Sequence, residues 1–553
     1  MKNSGRIWIV LASLLFCPGL SSAGPAGPLT PAADNFFNVI TFGAKGDGKT
    51  LDTNSINRAI DAASAKGGGT VFIPAGMYLC FSIHLKSNIT IYLDNGATIL
   101  AADPKEHKGS YDLPEPNEFD MYQDFGHSHW KNSLMWGIGI ENLAIVGQGK
   151  IDGVGLSRLS PGPRRPRTAG ETPASLGGGN KNAIAPLGET SDVKEMDGLG
   201  NKAIALKLSR NVTLKDLTIY RAGHFAVLAT GVDNLTIDNL RVDTSRDGFD
   251  IDACRNVRIS NSYVNSPNDD AVVLKSSYAL GFNRATENVT ITNSQVSGFD
   301  LGSFLNGTFQ TTQEFAPDKN RVTGRLKFGT ESNGGFKNIA ISNMNFVHCR
   351  GLALETVDGG NIEGVSITNI TMRDVTSSPI FIRLGARQRG PQGTPVGAIR
   401  RVNISNVVVS GAEANYASII AGLSGHDIED VKLSNINIQY KGGGTRENAE
   451  REIPENDKSY PEPSMFGIAP AYGFYVRHVS GITFENVDVS FEKDDLRPAF
   501  VLDDVKFADF LRIDAQLAKG AKTFALRNVL NFSVQRSRNV DDAKITKIDR
   551  REF

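Results

Sequence analysis

Cysteine is scarce in this chain of 553 residues, which has four in all. Cys17 lies near the amino terminus, and Cys80, Cys254 and Cys349 are scattered through the remainder. Cysteines so far apart are typical neither of a disulfide framework nor of a zinc site. We therefore expect the last three to be small, buried, apolar residues.

A strong charge of one sign is also missing, since 59 basic and 60 acidic residues leave a formal net charge of −1. A protein without net charge has no long-range attraction for nucleic acid or for a membrane surface. Beyond the amino-terminal segment, no apolar run reaches the ~20 residues that a membrane-spanning helix needs. We expect no nucleic-acid partner and no membrane-spanning segment.

Residues 1–23 are typical of a secretory signal peptide. Lys2 and Arg6 precede a short apolar run, and small residues end at Ala23. Cys17 follows the bulky Phe16, so a lipid anchor on that cysteine is the less favoured alternative. The sequence predicts a secreted or periplasmic protein, with residues 24–37 as an amino-terminal extension.

One phrase recurs along the chain, an asparagine followed by alternating apolar and polar residues. Clear copies begin at Asn211, Asn234, Asn256 and Asn288. The first two intervals are 23 (234 − 211) and 22 (256 − 234) residues, and later intervals are longer. Alternation is typical of half-buried strands, and this period fits one coil of a parallel β-helix. Leucine-rich repeats need another phrase, and propeller blades need ~40 or more residues.

We therefore predict an all-β fold, a single-stranded right-handed parallel β-helix (solenoid). Asparagines at one coil position are expected to bond to one another as a ladder. Residues 52–65 have helical spacing of apolar side chains and are predicted to cap the amino-terminal end. Residues 38–553 are expected to form one domain, with inserted loops at about 155–200 and 440–470.

Aspartates cluster on two neighbouring repeats. Asp247-Gly248-Phe249-Asp250 is followed by Asn268-Asp269-Asp270, 22 residues later (269 − 247). In a stacked coil this spacing places carboxyl groups at the same point of adjacent strands, ~4.8 Å apart. Carboxylates repel one another, so such a cluster indicates a functional site.

With these phrases the chain resembles glycoside hydrolase family 28, the pectin-degrading polygalacturonase family. The resemblance runs from about residue 38 to residue 440. It implies inverting hydrolysis with Asp269 as general acid. It also implies that Asp247 and Asp270 activate the water, while Asp250 is interpreted as a turn residue.

The chain departs from the family pattern after the aspartates. Arg325 stands where the family has histidine, and Ala353 and Glu355 stand where it has the Arg and Lys that hold a substrate carboxylate. Glu355 would repel a carboxylate but could accept hydrogen bonds from a neutral sugar. The departures favour rhamnogalacturonan-type or substituted pectin over plain polygalacturonan.

Other side chains are candidates for substrate binding. They are Lys275, His224, Arg325, Glu355 and Arg383. Arginine suits bidentate binding of a carboxylate, and a lysine supplies a point charge. His127 and His129 lie together in a loop without a matching third ligand, so we predict no metal site and no cofactor.

The sequence predicts an inverting glycosidase that cleaves an α-galacturonide bond of a pectic polysaccharide, and we expect a monomer. Two alternatives stay open. One is a β-helix polysaccharide lyase, in which an aspartate cluster holds Ca²⁺. The other is a β-helix that binds carbohydrate without cleaving it.

Overall fold

The computed structural model describes residues 35–157, 196–317 and 320–553. In them the chain winds as a right-handed parallel β-helix, in which strands pair with those of the coils before and after. Apolar residues alternate along each strand, so one face of the strand is buried inside the coil. The predicted all-β solenoid is confirmed.

Within the described residues the structure has 33 strands. They are β1 Phe36–Asn38, β2 Asp47–Leu51, β3 Gly69–Ile73, β4 Gly76–Cys80, β5 Ile83–His84, β6 Ile89–Leu93, β7 Ala97–Ala101, β8 Met135–Ile138, β9 Glu141–Val146, β10 Lys150–Asp152, β11 Lys202–Lys207, β12 Arg210–Lys215, β13 Thr218–Tyr220, β14 Phe225–Thr230, β15 Asp233–Asp238, β16 Arg241–Asp243, β17 Asp247–Asp252, β18 Arg255–Ser260, β19 Tyr263–Asn265, β20 Val272–Ser276, β21 Thr286–Ser297, β22 Leu326–Ser332, β23 Phe336–Val347, β24 Leu352–Thr356, β25 Asn361–Arg373, β26 Ile380–Leu384, β27 Ala398–Ala412, β28 Ser418–Ala421, β29 Ile428–Gly442, β30 Phe474–Lys493, β31 Phe500–Ala515, β32 Phe524–Gln535 and β33 Ala543–Glu552.

Each complete coil of the middle region contributes three short strands. β11, β14 and β17 stack in one column, β12, β15 and β18 in a second, and β13, β16 and β19 in a third. From β21 onward the second and third strands merge into one long strand. We call the first column, which continues through β20, β22, β24, β26, β28 and the start of β30, sheet 1.

Asparagines mark the corner before the second column. Asn211, Asn234, Asn256 and Asn288 all have φ 56°. Asparagine tolerates this left-handed conformation better than other side chains do. From Asn234 onward each side-chain amide donates to the Oδ1 of the asparagine one coil earlier, at 2.9, 3.3 and 3.0 Å. The predicted ladder is confirmed.

The two ends of the coil are covered. Helix α1 spans Thr53–Ala65 and packs its apolar stripe, fully buried at Ile56 and Ile60, against β1 and β3. At the other end β33 pairs antiparallel with β32. The other helices within the described residues are α2 Arg446–Ala449 and the 3₁₀ turns Val39–Phe42, Asp120–Tyr122, Phe125–His127 and Pro463–Phe466.

Several predictions concern parts of the chain that the structure leaves undescribed. The signal peptide 1–23, most of the extension 24–37 and most of the loop 155–200 lie outside the described residues. Cys80, Cys254 and Cys349 are free and buried, which confirms their predicted role. In the described ranges, none of the helices combines the length and apolarity that crossing a bilayer requires.

Candidate active site

Asp247, Asp269 and Asp270 lie together on the outer side of sheet 1. Asp247 begins β17, and Asp270 lies two residues before β20. Phe249 pairs with Val272, so Asp247 and Asp270 occupy equivalent points of adjacent coils. The backbone N–H of Asp270 lies 3.2 Å from Oδ1 of Asp247 and 3.1 Å from Oδ1 of Asp269. The structure thus brings all three carboxyl groups to one point.

Two of these carboxyl groups have opposite electrostatic surroundings. Burial, with the charge of Asp269 as a further cause, raises the pKa of Asp247 well above its usual range. Burial alone would also raise the pKa of Asp270, but Lys327 and Arg325 outweigh it and lower that pKa to about 2. The cluster therefore favours a proton at Asp247 and a negative charge at Asp270.

Arg325 lies against Asp270 rather than in an open groove. Its Nε donates to Oδ1 of Asp270 at 2.8 Å, and its Nη1 donates to Glu462 at 3.0 Å. Arg350 donates to the same Glu462 carboxylate at 3.1 Å. The Arg325 side chain is 3% exposed, so its charge is directed at protein carboxylates and fixes Asp270.

Lys327 is a site residue that the sequence reasoning missed. Its Nζ lies 3.6 Å from Asp270, 3.5 Å from Glu355 and 3.1 Å from the hydroxyl of Tyr460. The signal was present, because residues two apart in a strand share a face and Lys327 follows Arg325 by two. Tyr460 and Glu462 gave no such signal, since they come from the distant 440–470 segment.

Glu355 does not occupy the position that its predicted role requires. Its side chain is fully buried, and neither carboxylate oxygen has a hydrogen-bond partner among the described residues. Burial raises its pKa to about 7, although Lys327 and Arg325 oppose that rise. A sugar cannot reach this carboxyl group in the observed arrangement, so the predicted contact with sugar hydroxyls is corrected.

Lys275 lies in a buried ionic cluster. Its Nζ is 2.6 Å from Nε2 of His127, 3.1 Å from Glu331 and 3.4 Å from Asp250. Burial would lower the pKa of this ammonium, but Asp250 and Glu331 hold it well above its usual range. The charge of Lys275 is thus used inside the protein, and Asp250 has an ionic partner rather than the turn role assigned to it.

His224 and Arg383 have different surroundings from one another. His224 is buried beside Phe225, and one of its ring nitrogens lies within 4.8 Å of oxygens of Asp247 and Asp269. Arg383 is 1% exposed and donates to backbone carbonyls, at 2.9 Å to Gly422 and to Glu455. The predicted role of Arg383 in substrate binding is corrected, because its guanidinium group is buried and binds the backbone of the 440–470 segment.

Arg246, also missed by the sequence reasoning, lies at the rim of the site. Its Nη2 is 2.6 Å from Oδ2 of Asp269, and the two side chains are 30% and 25% exposed. Its Nε is buried and has no hydrogen-bond partner among the described residues. Arg246 immediately precedes Asp247 in the sequence.

Four side-chain groups among the described residues have the composition of a cation site, with ligand atoms within 4.8 Å of one another. They are Asp124, His127 and Glu331; His127, Asp247 and Asp250; His224, Asp247 and Asp269; and Asp427, His478 and Asp504. In each group one carboxylate contacts a protein cation, which is Lys275 in the first two, Arg246 in the third and Lys506 in the fourth. The charge that a metal ion would supply is therefore supplied by these side chains.

The segment 453–471 covers sheet 1 on the coils that follow the aspartates. Its apolar residues pack on outward side chains of β24, β26, β28 and β30, among them Ala353 and Phe381. The residues it contributes are Ile453, Met465, Phe466, Ala469 and Ala471. The predicted 440–470 loop thus lies over the sheet and encloses one side of the aspartate cluster.

Known proteins resemble this chain in sequence and in fold. The model of glycosyl hydrolases family 28 matches residues 188–457, and that of rhamnogalacturonase A/epimerase, pectate lyase-like, matches residues 36–125. The exo-poly-alpha-D-galacturonosidase of Dickeya chrysanthemi is 25% identical over 444 residues, 75% of this chain and 68% of the relative.

Two solved structures share the fold. The exopolygalacturonase of Thermotoga maritima is 23% identical, with a TM-score of 0.55 over 74% of this chain and 87% of that one. The family 28 exopolygalacturonase of Yersinia enterocolitica is 18% identical, with a TM-score of 0.60 over 88% of this chain and 79% of that one.

Proposed function

Because this chain belongs to glycosyl hydrolase family 28 and is a polygalacturonase-like glycosidase, we propose its substrate and mechanism. The substrate is rhamnogalacturonan-type or substituted pectin rather than plain polygalacturonan. The bond is an α-galacturonide linkage, cleaved with inversion. The observation that carries the chemistry is the convergence of the carboxyl groups of Asp247, Asp269 and Asp270 at one point of sheet 1.

The three aspartates divide the work of an inverting hydrolysis. Asp269, the most exposed of them, donates a proton to the leaving glycosidic oxygen. The carboxylate of Asp270 accepts a proton from the water that attacks the anomeric carbon, and Asp247 orients that water. The water oxygen forms the new bond to the anomeric carbon as the bond to the leaving oxygen breaks. One proton is thus donated to the leaving oxygen and one is removed from the water.

The choice of substrate is supported by the loss of cations beside the aspartates. Ala353 is uncharged and covered by the segment 453–471, and Glu355 is buried and acidic. Neither position therefore offers a cation to a second galacturonate, which favours a substrate with a neutral sugar such as rhamnose next to the cleaved galacturonate. The family model that matches residues 36–125 is described as rhamnogalacturonase A/epimerase, pectate lyase-like, and so includes rhamnogalacturonan-cleaving enzymes by name.

A panel of pectic fractions tests this proposal. We expect cleavage of rhamnogalacturonan or substituted pectin to exceed cleavage of unbranched polygalacturonic acid by about 10-fold or more, the effect of one mismatched charge. Proton NMR of fresh products should show the inverted anomer. Faster cleavage of polygalacturonic acid would refute the choice of substrate, and a retained anomer would refute the mechanism.

A second candidate function is release of units from the end of a galacturonan. Two observations favour it: the covered sheet beyond the aspartates, and the name exo-poly-alpha-D-galacturonosidase of a relative. End-labelled oligomers separate the candidates. Chain-end action gives one small product from the start, whereas internal cleavage gives a spread of lengths.

The cellular site is also a proposal. We infer export to the periplasm or the medium through residues 1–23, and action as a monomer. Detection of the processed protein outside the cytoplasm, with an amino terminus near residue 24, would test the export. Light scattering of the purified protein would test the oligomeric state.

A further inference from the structure

A glycosidase that cleaves an α-galacturonide bond must accommodate the carboxylate of the galacturonate. Three of the cations near the aspartates are poorly suited to this. The side chains of Lys275, Arg325 and Lys327 are 8%, 3% and 2% exposed, and each contacts buried protein carboxylates. An incoming carboxylate would have to displace those buried partners, which is costly.

Arg246 differs from these cations in both exposure and pairing. Its side chain is 30% exposed, and its ionic partner Asp269 is itself 25% exposed. Ion pairs at such positions are weak, so exchange of one carboxylate for another costs little. A guanidinium also has donors left over after one contact, and the Nε of Arg246 has no partner among the described residues.

We propose that Arg246 is the specificity-determining residue that binds the galacturonate carboxylate at the cleaved bond. This inference rests on the proposed function, whose substrate it explains. The cation that recognises the carboxylate is then Arg246, immediately before Asp247, and not a residue at the positions of Ala353 and Glu355 on β24. Galacturonate is recognised on one side of the bond and a neutral sugar on the other.

The same contact links recognition to chemistry. In the structure Nη2 of Arg246 contacts Oδ2 of Asp269 at 2.6 Å. When Arg246 turns to the substrate carboxylate, this contact is broken and the carboxyl group of Asp269 is free to face the leaving oxygen. A substrate without a carboxylate leaves Arg246 on Asp269.

The test compares a rhamnogalacturonan oligosaccharide with its methyl-esterified form, which has nearly the same shape but no charge. If the second candidate function holds, an oligogalacturonide and its ester replace them. We expect Arg246→Met to lower kcat/KM on the free acid by about 10- to 100-fold, the effect of one charge-assisted contact. On the ester the loss should be several-fold smaller, and Arg246→Lys should be intermediate on the acid.

Arg221→Met is the matched control. Arg221 forms an ion pair with Asp152 at 2.8 Å, and its side chain is 36% exposed. Its loss should leave the acid-to-ester ratio unchanged. Equal loss on both substrates in Arg246→Met, or no loss on either, would overturn the inference while wild-type hydrolysis still supports the proposed function. Failure of the wild type to cleave any pectic fraction would overturn both.

Discussion

Asp247 and Asp270 show how neighbouring carboxyl groups acquire different proton affinities. Both are buried, which by itself disfavours charge. Asp270 has Arg325 at 2.8 Å and Lys327 at 3.6 Å, whereas Asp247 has the charge of Asp269 beside it. The two aspartates therefore differ in proton affinity because only Asp270 lies beside Arg325 and Lys327.

The first prediction concerns the acid. Asp269→Asn should reduce turnover by about 10²- to 10⁴-fold, because asparagine cannot donate the proton. The side chain is a quarter exposed, so the thermal unfolding temperature should change little. Asp216→Asn is the control, because Asp216 is a half-buried ladder residue that accepts from Asn239. Near-wild-type turnover in Asp269→Asn would contradict its assignment as the acid.

The second prediction concerns the pH dependence of stability at Glu355. Its pKa rises from 4.5 to about 7 on folding, so ionisation in the folded state costs free energy. The stability that the neutral group contributes is complete below pH 4.5 and is lost as pH rises through about 7. Glu355→Gln should therefore be more stable than the wild type at pH 8, by at most about 3 kcal/mol.

Urea denaturation at pH 4.5 and at pH 8 measures this difference. The free energies of unfolding of the two proteins should converge at the lower pH. A difference that is the same at both values would show that Glu355 ionises without cost, as an ion pair with Lys327.

At the scale of elements, the segment 453–471 determines the surroundings of the aspartates. It lies on an apolar face of sheet 1 and supplies Glu462 to Arg325 and Arg350. Arg383 and Arg477 hold its beginning through backbone carbonyls of Glu455 and Ile453. The segment is therefore part of the site and not a surface loop.

The third prediction follows from that arrangement. Glu462→Gln leaves Arg325 and Arg350 buried without their shared counter-charge, which should cost about 3–5 kcal/mol of unfolding free energy. Activity should also fall, since Arg325 would no longer be fixed against Asp270. Chemical denaturation and a pectin hydrolysis assay measure the two effects.

Glu452→Gln provides the comparison for that variant, because Glu452 is an exposed residue immediately before the segment 453–471. It should change neither stability nor activity measurably. A Glu462→Gln protein as stable as the wild type would mean that the two arginines find other partners.

At the scale of the whole molecule, protein cations contact each of the acidic groups that could otherwise bind a metal ion. Lys275, Arg246 and Lys506 do so at three separate places of the described chain. The fourth prediction is that EDTA leaves hydrolysis of pectin unchanged. Loss of activity with EDTA, restored by Ca²⁺, would favour the lyase alternative, which absorbance of unsaturated products would then identify.

Much of the fold was predictable because each coil of a solenoid repeats the same local sequence pattern. Asn211, Asn234 and Asn256 recur at nearly one coil, so their ladder and the strand after each could be read from spacing. The same period placed Asp247 beside Asp270. Arg325 was found by its place after the aspartates, but its partner Glu462 comes from 137 residues further along and no spacing indicated it.

The errors at Glu355 and Arg383 have one cause. Both alternate outward on sheet 1, which in a bare coil would face solvent and substrate. Periodicity in the sequence is local, so it was sufficient for the coil, the ladder and the aspartate cluster. Which outward side chains stay accessible depends on long-range packing of the segment 453–471, and only the folded chain shows that it buries Glu355 and leaves Arg246 at the rim.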